Sequence, residues 1–351
     1  MITVKLKKSF FAVVGIAISI YFLFTAPYAV SAGVTDGLKI CFYTVIPSLF
    51  PFMVLSSYVV KSDVLSPVYK VIAPLTRFIF HQPPCAAPVI IMSLIGGFPV
   101  GAKMTASLLE GGQITKNQAQ RLNMFCINGG PAFVITAVGA FMLSSVRAGV
   151  IMYASLCISS LIIGVISSFF DDKSAVVTHV KKLSQSPLAA LSSAVSDAVQ
   201  SILGICAWIV IFGALTSCIE VYTANKDLFT ALSCILEVTD GCALIAGKLP
   251  IAALTAVIGF GGICVHCQIF SYVAVSGLKY SRFFTGRAVN AALSALICHL
   301  LLTVFPVEVS TAANVQSVTD ISFSVSIPAF LAMTVMCIIM IFDIDAKRKL
   351  W

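Results

Sequence analysis

Charge is what this chain has least of. Lysine, arginine, aspartate and glutamate make up 10% of its 351 residues, against 59% hydrophobic residues. Soluble domains carry about 25% charged residues, and a soluble domain of this length could not cover itself with so few. Enzyme signatures are missing too: there is no Gly-x-Ser-x-Gly, no His-Glu-x-x-His and no P-loop. The chain is therefore not expected to be an enzyme, and without a nucleotide-binding domain it cannot power transport with ATP. The ten-residue alternation of an outer-membrane barrel is also lacking. Long apolar runs take its place, and they define an all-α polytopic membrane protein whose first partner is the lipid bilayer.

The net charge of +8 forms no single basic patch. Positive residues cluster at segment ends, as in Lys5/Lys7/Lys8, Lys181/Lys182 and Lys347/Arg348/Lys349. Interfacial anchors and positive-inside determinants have this distribution, so no nucleic-acid partner is expected. The 12 cysteines fall mostly in apolar segments, where cysteine acts as a small hydrophobe. Cys264-Val-His-Cys267 is a close pair without a second ligand pair, so neither a metal site nor any other cofactor is expected.

Residues 1–34 begin like a signal peptide, with lysines, an apolar run and Ala29-Val-Ser-Ala32. The apolar part is long for a leader, and an uncleaved first transmembrane helix is expected. Further spans are expected near 37–60, 86–110, 127–145, 148–170, 197–220, 228–247, 250–277, 284–304 and 323–343. Each is close to the roughly 20 residues a crossing needs. Residues 67–82, with Lys70 and Arg77, either cross, dip in or lie on the surface, so about nine to eleven crossings are expected. The organisation expected is a first membrane repeat over 35–170, a hydrophilic connection over 171–195, a second repeat over 196–345 and a basic tail over 346–351.

The two halves share an order of features. Gly96-Gly97 answers to Gly261-Gly262 and Gly112 to Gly277, both at an offset of 165 residues. One residue further on, Thr115 answers to Ser281 and Arg121 to Arg287. Asp36-Gly-Leu and Asp197-Ala-Val open comparable apolar runs. Two repeats with broken or re-entrant helices are expected, inverted if each crosses an odd number of times.

The motif that draws most attention is Gly96-Gly-Phe-Pro-Val-Gly-Ala-Lys103. Broken backbone at bilayer depth belongs against protein or a cavity, and an ion there needs a partner or water. Gly97, Pro99, Gly101 and Lys103 are therefore candidate substrate-binding residues, with Lys103 either lining the site or snorkelling. Under the repeat, Lys103 pairs with Gln268 and Gly101 with His266, which brings a cation, an amide and an imidazole near one centre; for His266 and Gln268 the alternative is hydrogen bonding between helices. Freed N–H groups at helix starts attract anions. Asn128-Gly129-Gly130-Pro131 is a candidate cavity wall or an ordinary turn. Arg121 and Arg287 either anchor helices at the interface or draw an anion. Glu237 and Asp240, three apart, fall on one face of a helix. They are candidates for cation coupling or for ion pairs with Lys103 or Arg287, the alternative being a loop that interrupts the span here.

Several blocks together resemble the sporulation integral membrane proteins of the YlbJ type, within the wider group carrying nucleoside-recognition (Gate) repeats. They are Val45-Ile-Pro-Ser-Leu-Phe-Pro-Phe52, the glycine-rich octapeptide, Phe125-Cys-Ile-Asn-Gly-Gly-Pro-Ala-Phe133, Leu236-Glu-Val-Thr-Asp-Gly241 and 259–268. The resemblance implies an architecture like that of concentrative nucleoside transporters. It also implies a role in endospore formation, with dipicolinate moved across the outer forespore membrane from the mother cell. A small anionic metabolite is thus the expected substrate, handled by secondary or facilitated transport. The alternatives are a non-transporting scaffold for the spore envelope and a carrier of nucleosides or other small metabolites. A homo-oligomer is compatible with either kind of protein.

Overall fold

The computed structural model describes residues 20–21, 24–62, 66–169, 186–275, 277–278 and 280–307. The basic N-terminus, the residues 171–185 of the expected connection, the span at 323–343 and the basic tail lie outside the described residues. All described regular structure is helical. The helices are α1 (Pro27–Ile40), α2 (Ile46–Ser62), α3 (Ser66–Phe80), α4 (Ala87–Ile95), α5 (Phe98–Glu110), α6 (Lys116–Phe125), α7 (Val146–Ser168), α8 (Pro187–Tyr222), α9 (Lys226–Leu236), α10 (Val238–Ile245), α11 (Ile251–Phe260), α12 (Gly262–Val275) and α13 (Tyr280–Val304). A π-helical turn, Cys41–Val45, joins α1 to α2, and a longer π-helix covers Ala132–Met142. Helix α8 starts at Pro187, inside the stretch expected as a connection up to residue 195.

Among the described residues, four helical stretches are long and apolar enough to cross a membrane: Val146–Ser168, Leu188–Tyr222, Ile251–Phe270 and Tyr280–Val304. A fifth is the pair Pro74–Phe80 and Pro84–Ile95, bent by 95°. The ambiguous stretch at 67–82 is thus one arm of a broken span or re-entrant loop. Within the described residues the apolar runs are interrupted at glycine, once inside the stretch Ile251–Phe270. Gly97 adopts φ 84°, and Gly261 and Gly262 adopt φ 89° and 71°. Side-chain-bearing residues avoid that region, so the helices end there and restart as α5 and α12.

Helices α1 and α2 lie along α8. Gly33 and Gly37, one turn apart, bring the backbones together: a Cβ on Gly33 would sit 2.3 Å from the Gly213 oxygen. Small residues at such spacing are the means by which membrane helices approach closely. Helix α13 packs on α11 and α7, and Gly259 lets α11 approach Ala291 and Ser294 of α13. The buried core runs through these contacts, from Cys41 and Met53 to Leu254, Ile269 and Phe283.

Candidate functional site

Three interruptions of helix meet at one small cavity. The start of α5 contributes Gly97, Phe98 and Pro99, and the start of α10 contributes Glu237, Val238 and Thr239. Gly130 comes from the loop before the π-helix, and Val265 and Gln268 come from α12. Gly97 and Gly130 are stacked, since a Cβ on Gly130 would meet the Gly97 backbone at 3.1 Å. The cavity volume is about 60 Å3, room for about two waters and far below the roughly 300–1,000 Å3 of ligand pockets. The conformation described is closed on any ring-sized ligand.

The two helix starts differ. Helix α5 begins at Gly97 with no side-chain cap, and its positive end faces the cavity. Helix α10 is capped by Glu237, whose carboxylate oxygen Oε2 accepts the Asp240 N–H at 2.7 Å. Glu237 is extended (φ −138°, ψ 124°) and 3% exposed. Glu237 and Asp240 therefore do not share a face of one continuous helix, as their spacing predicts. Glu237 leaves the helical conformation because an N-cap residue must. Neither acid pairs with Lys103 or Arg287 among the described residues.

A second, larger cavity of about 240 Å3 lies on the other side of Glu237. Its wall includes Asp36 of α1, Thr216 and Glu220 of α8, Ser233 of α9, and Asp240. Thr216 donates to the Asp240 carboxylate at 3.4 Å. Glu237 and Ile209 line both cavities. Sequence reading missed Thr216 and Glu220 of α8 and Ser233 of α9, which carry no local motif.

Of the candidate substrate-binding residues, Gly97, Pro99, Gly130 and Gln268 line the smaller cavity. Gln268 also donates through Nε2 to Cys264 Sγ at 3.5 Å. Lys103 instead reaches α8, donating to Ser201 Oγ at 2.8 Å and to the Asp197 carbonyl at 3.1 Å. Beside it Lys61 and the Asp197 carboxylate form an ion pair of 2.5 Å. Two lysines thus flank one aspartate, at a distance from the cavity wall. Gly101 is a packing position: a Cβ there would lie 1.6 Å from the Cys126 oxygen. Gly129 packs against Ile258 and Val134.

The remaining polar candidates hold backbone. Arg287, 0% exposed, donates to the carbonyls of Ile127, of Met124 at 3.1 Å and of Gly259 at 3.4 Å. Arg121 donates to the carbonyls of Phe80 and, at 3.3 Å, of His81, where α3 ends at the bend. A guanidinium fits this task, with five donors and a positive charge for the negative end of a helix. Asn128 donates to the Phe125 carbonyl at 3.0 Å and accepts from Ser160. His266 Nε2 faces the Phe260 carbonyl at 2.9 Å, and its ring meets the edges or faces of Phe260, Phe283 and Phe284. None of these four lines either cavity.

The chain thus carries a small cavity framed by helix breaks, with Glu237 as the one ionisable group among its described wall residues. No protein-family model matches the chain, and no solved structure matches it. The sporulation integral membrane protein YlbJ of Bacillus subtilis (strain 168) is 25% identical to it over 308 residues, 76% of each chain. Apolar spans and this similarity together make the chain an integral membrane protein homologous to a sporulation integral membrane protein.

Proposed function

We propose that the chain carries a small carboxylated metabolite across a membrane of the sporulating cell, with dipicolinate and the outer forespore membrane as the specific case. The observation that carries this reading is the cavity at which the uncapped start of α5 meets the breaks at Gly130 and Glu237. Transporters place substrate sites at interrupted helices whose N-terminal ends point at anionic groups. The relative's role in sporulation supports the choice of membrane. Lys61 and Lys103 around Asp197 leave a local excess of one positive charge, which favours anion approach. Access for a ring requires the broken helices to part.

The reading includes two copies of one design, of the nucleoside-recognition kind. Element order supports it. A long helical stretch (α1–α2, then α8) precedes a shorter one (α3, then α9–α10), and a pair broken at double glycine follows (α4–α5, then α11–α12). Arg121 and Arg287 then each cap a helix end.

Glu237 and Gln268 on the wall favour one second reading, a neutral hydrogen-bonding solute such as a nucleoside. Uptake of labelled dipicolinate into proteoliposomes, with uridine and aliphatic dicarboxylates as competitors, decides between them. The expected result is saturable dipicolinate uptake, displaced by unlabelled dipicolinate and not by uridine. Uridine uptake in its place supports the second reading. No uptake of either under any gradient overturns transport in favour of a scaffold.

A further inference from the structure

We propose that Glu237 carries a proton with each carboxylated substrate, so that transport through this chain is proton symport. The inference rests on the carboxylate-transport reading above and deepens it. Its ground is geometric. Glu237 is 3% exposed and lines both cavities, one framed by the uncapped start of α5 and one lined by Asp36, Glu220 and Asp240. A substrate carboxylate drawn to the start of α5 would share a cavity of about 60 Å3 with the Glu237 carboxylate. Two like charges that close in a water-poor interior cannot both persist. A proton on Glu237 removes the conflict, and it leaves Glu237 able to donate a hydrogen bond to the arriving carboxylate.

No cation takes the proton's place among the described residues. The groups facing Glu237 and its neighbour are Asp240 on α10, Asp36 on α1, Glu220 on α8, and the thiols Cys41, Cys234, Cys242 and Cys264. Lys39 is engaged with Asp36 at 2.9 Å in an exposed pair.

Independent of the acids, the larger cavity holds a hydroxyl without a partner. Ser233 is 1% exposed, lies on the cavity wall, and its Oγ has no hydrogen-bond partner among the described residues. A buried hydroxyl that ends on a cavity of about 240 Å3 is suited to relay protons through water. The route assigned is therefore Asp36 and Glu220 at the mouth, Ser233 and Asp240 within, and Glu237 as the last acceptor. The proton arrives on a Glu237 carboxylate oxygen before the substrate binds. It leaves from the same oxygen after release.

The test uses purified full-length protein in proteoliposomes holding a trapped pH dye, with the membrane potential clamped at zero. Dipicolinate added outside is expected to acidify the lumen as it enters. A one-unit acid-outside gradient is expected to drive about tenfold accumulation per coupled proton. In Glu237→Gln the accumulation ratio is expected to fall to about one, independent of the gradient. A carbodiimide, which modifies protonated buried carboxyls, is expected to label Glu237 in the wild type, less so as pH rises. That readout stands even if the variant does not reach the membrane.

Wild-type uptake that ignores the proton gradient, or follows a sodium gradient, overturns the symport while leaving transport intact. Carbodiimide labelling confined to other carboxyls, or full accumulation in Glu237→Gln, removes Glu237 from the role. Absence of any dipicolinate uptake in the wild type overturns the transport reading itself.

Discussion

Arg287 shows how a charged residue inside an apolar helix can serve the fold alone. It is fully buried, and its guanidinium donates to backbone carbonyls of Met124, Ile127 and Gly259 from two other parts of the chain. Each buried carbonyl left without a donor costs about 1–3 kcal/mol. Arg287→Ala is therefore expected to lower the thermal midpoint of the detergent-solubilised protein, by roughly 2–4 °C for every kcal/mol lost. Arg282→Ala, at an exposed position of the same helix, is expected to stay within about 0.5 kcal/mol of the parent. Equal midpoints for the two variants would remove Arg287 from this bracing role. The sequence singled out Arg121 and Arg287 as unusual residues, and both are buried. It could not tell an anion-binding arginine from one that holds backbone, because the carbonyls it binds are 160 and 163 residues away. Lys103 illustrates the same limit. Its position after a helix break was legible, whereas its partners Asp197 and Ser201 belong to α8.

At the scale of elements, glycine and proline spelled out where helices stop. The breaks at Gly96-Gly97 and Gly261-Gly262 fall where the sequence placed them, because positive φ is a local property of the residue. The capping box of Thr115 and Gln118 that starts α6 is equally local. The break at Glu237 was harder to read, since an acid within an apolar run fits a helix face and an N-cap alike. Close approach is a third use of glycine, and it separates two positions of similar helical setting. A Cβ on Gly101 would overlap the Cys126 oxygen at 1.6 Å, whereas Gly204 has nothing within 4 Å. Gly101→Ala is expected to push α5 off the loop that carries Gly129 and Gly130, lowering stability by about 1–3 kcal/mol. Gly204→Ala is expected to be neutral or to stabilise by up to about 1 kcal/mol through helix propensity. Thermal unfolding of the two variants in detergent checks the order. A Gly101→Ala protein as stable as Gly204→Ala would mean that α5 does not pack at this distance.

For the whole molecule, the question is whether the recurring element order reflects a two-fold axis in the membrane plane. Helix α7, 23 residues long and apolar enough to cross, stands between the two sets of elements. Thr115 precedes α6, and Ser281 stands at the start of α13, as matched starts six residues ahead of their arginines. Inverted copies would put equivalent helix starts on opposite sides of the bilayer. Here the two starts lie together: a Cβ on Gly277, just ahead of α13, would sit 3.6 Å from Lys116 Nζ at the start of α6, and one on Gly286 would meet the Met124 oxygen near the end of α6 at 2.8 Å. Helices α6 and α13 thus run in the same direction. Asn117 and Arg282 are exposed at those starts, so each tolerates a reporter. In a background with the native cysteines replaced, Asn117→Cys and Arg282→Cys are expected to react with a membrane-impermeant maleimide from one and the same side. Labelling from opposite sides would separate the two starts across the bilayer and restore inverted copies.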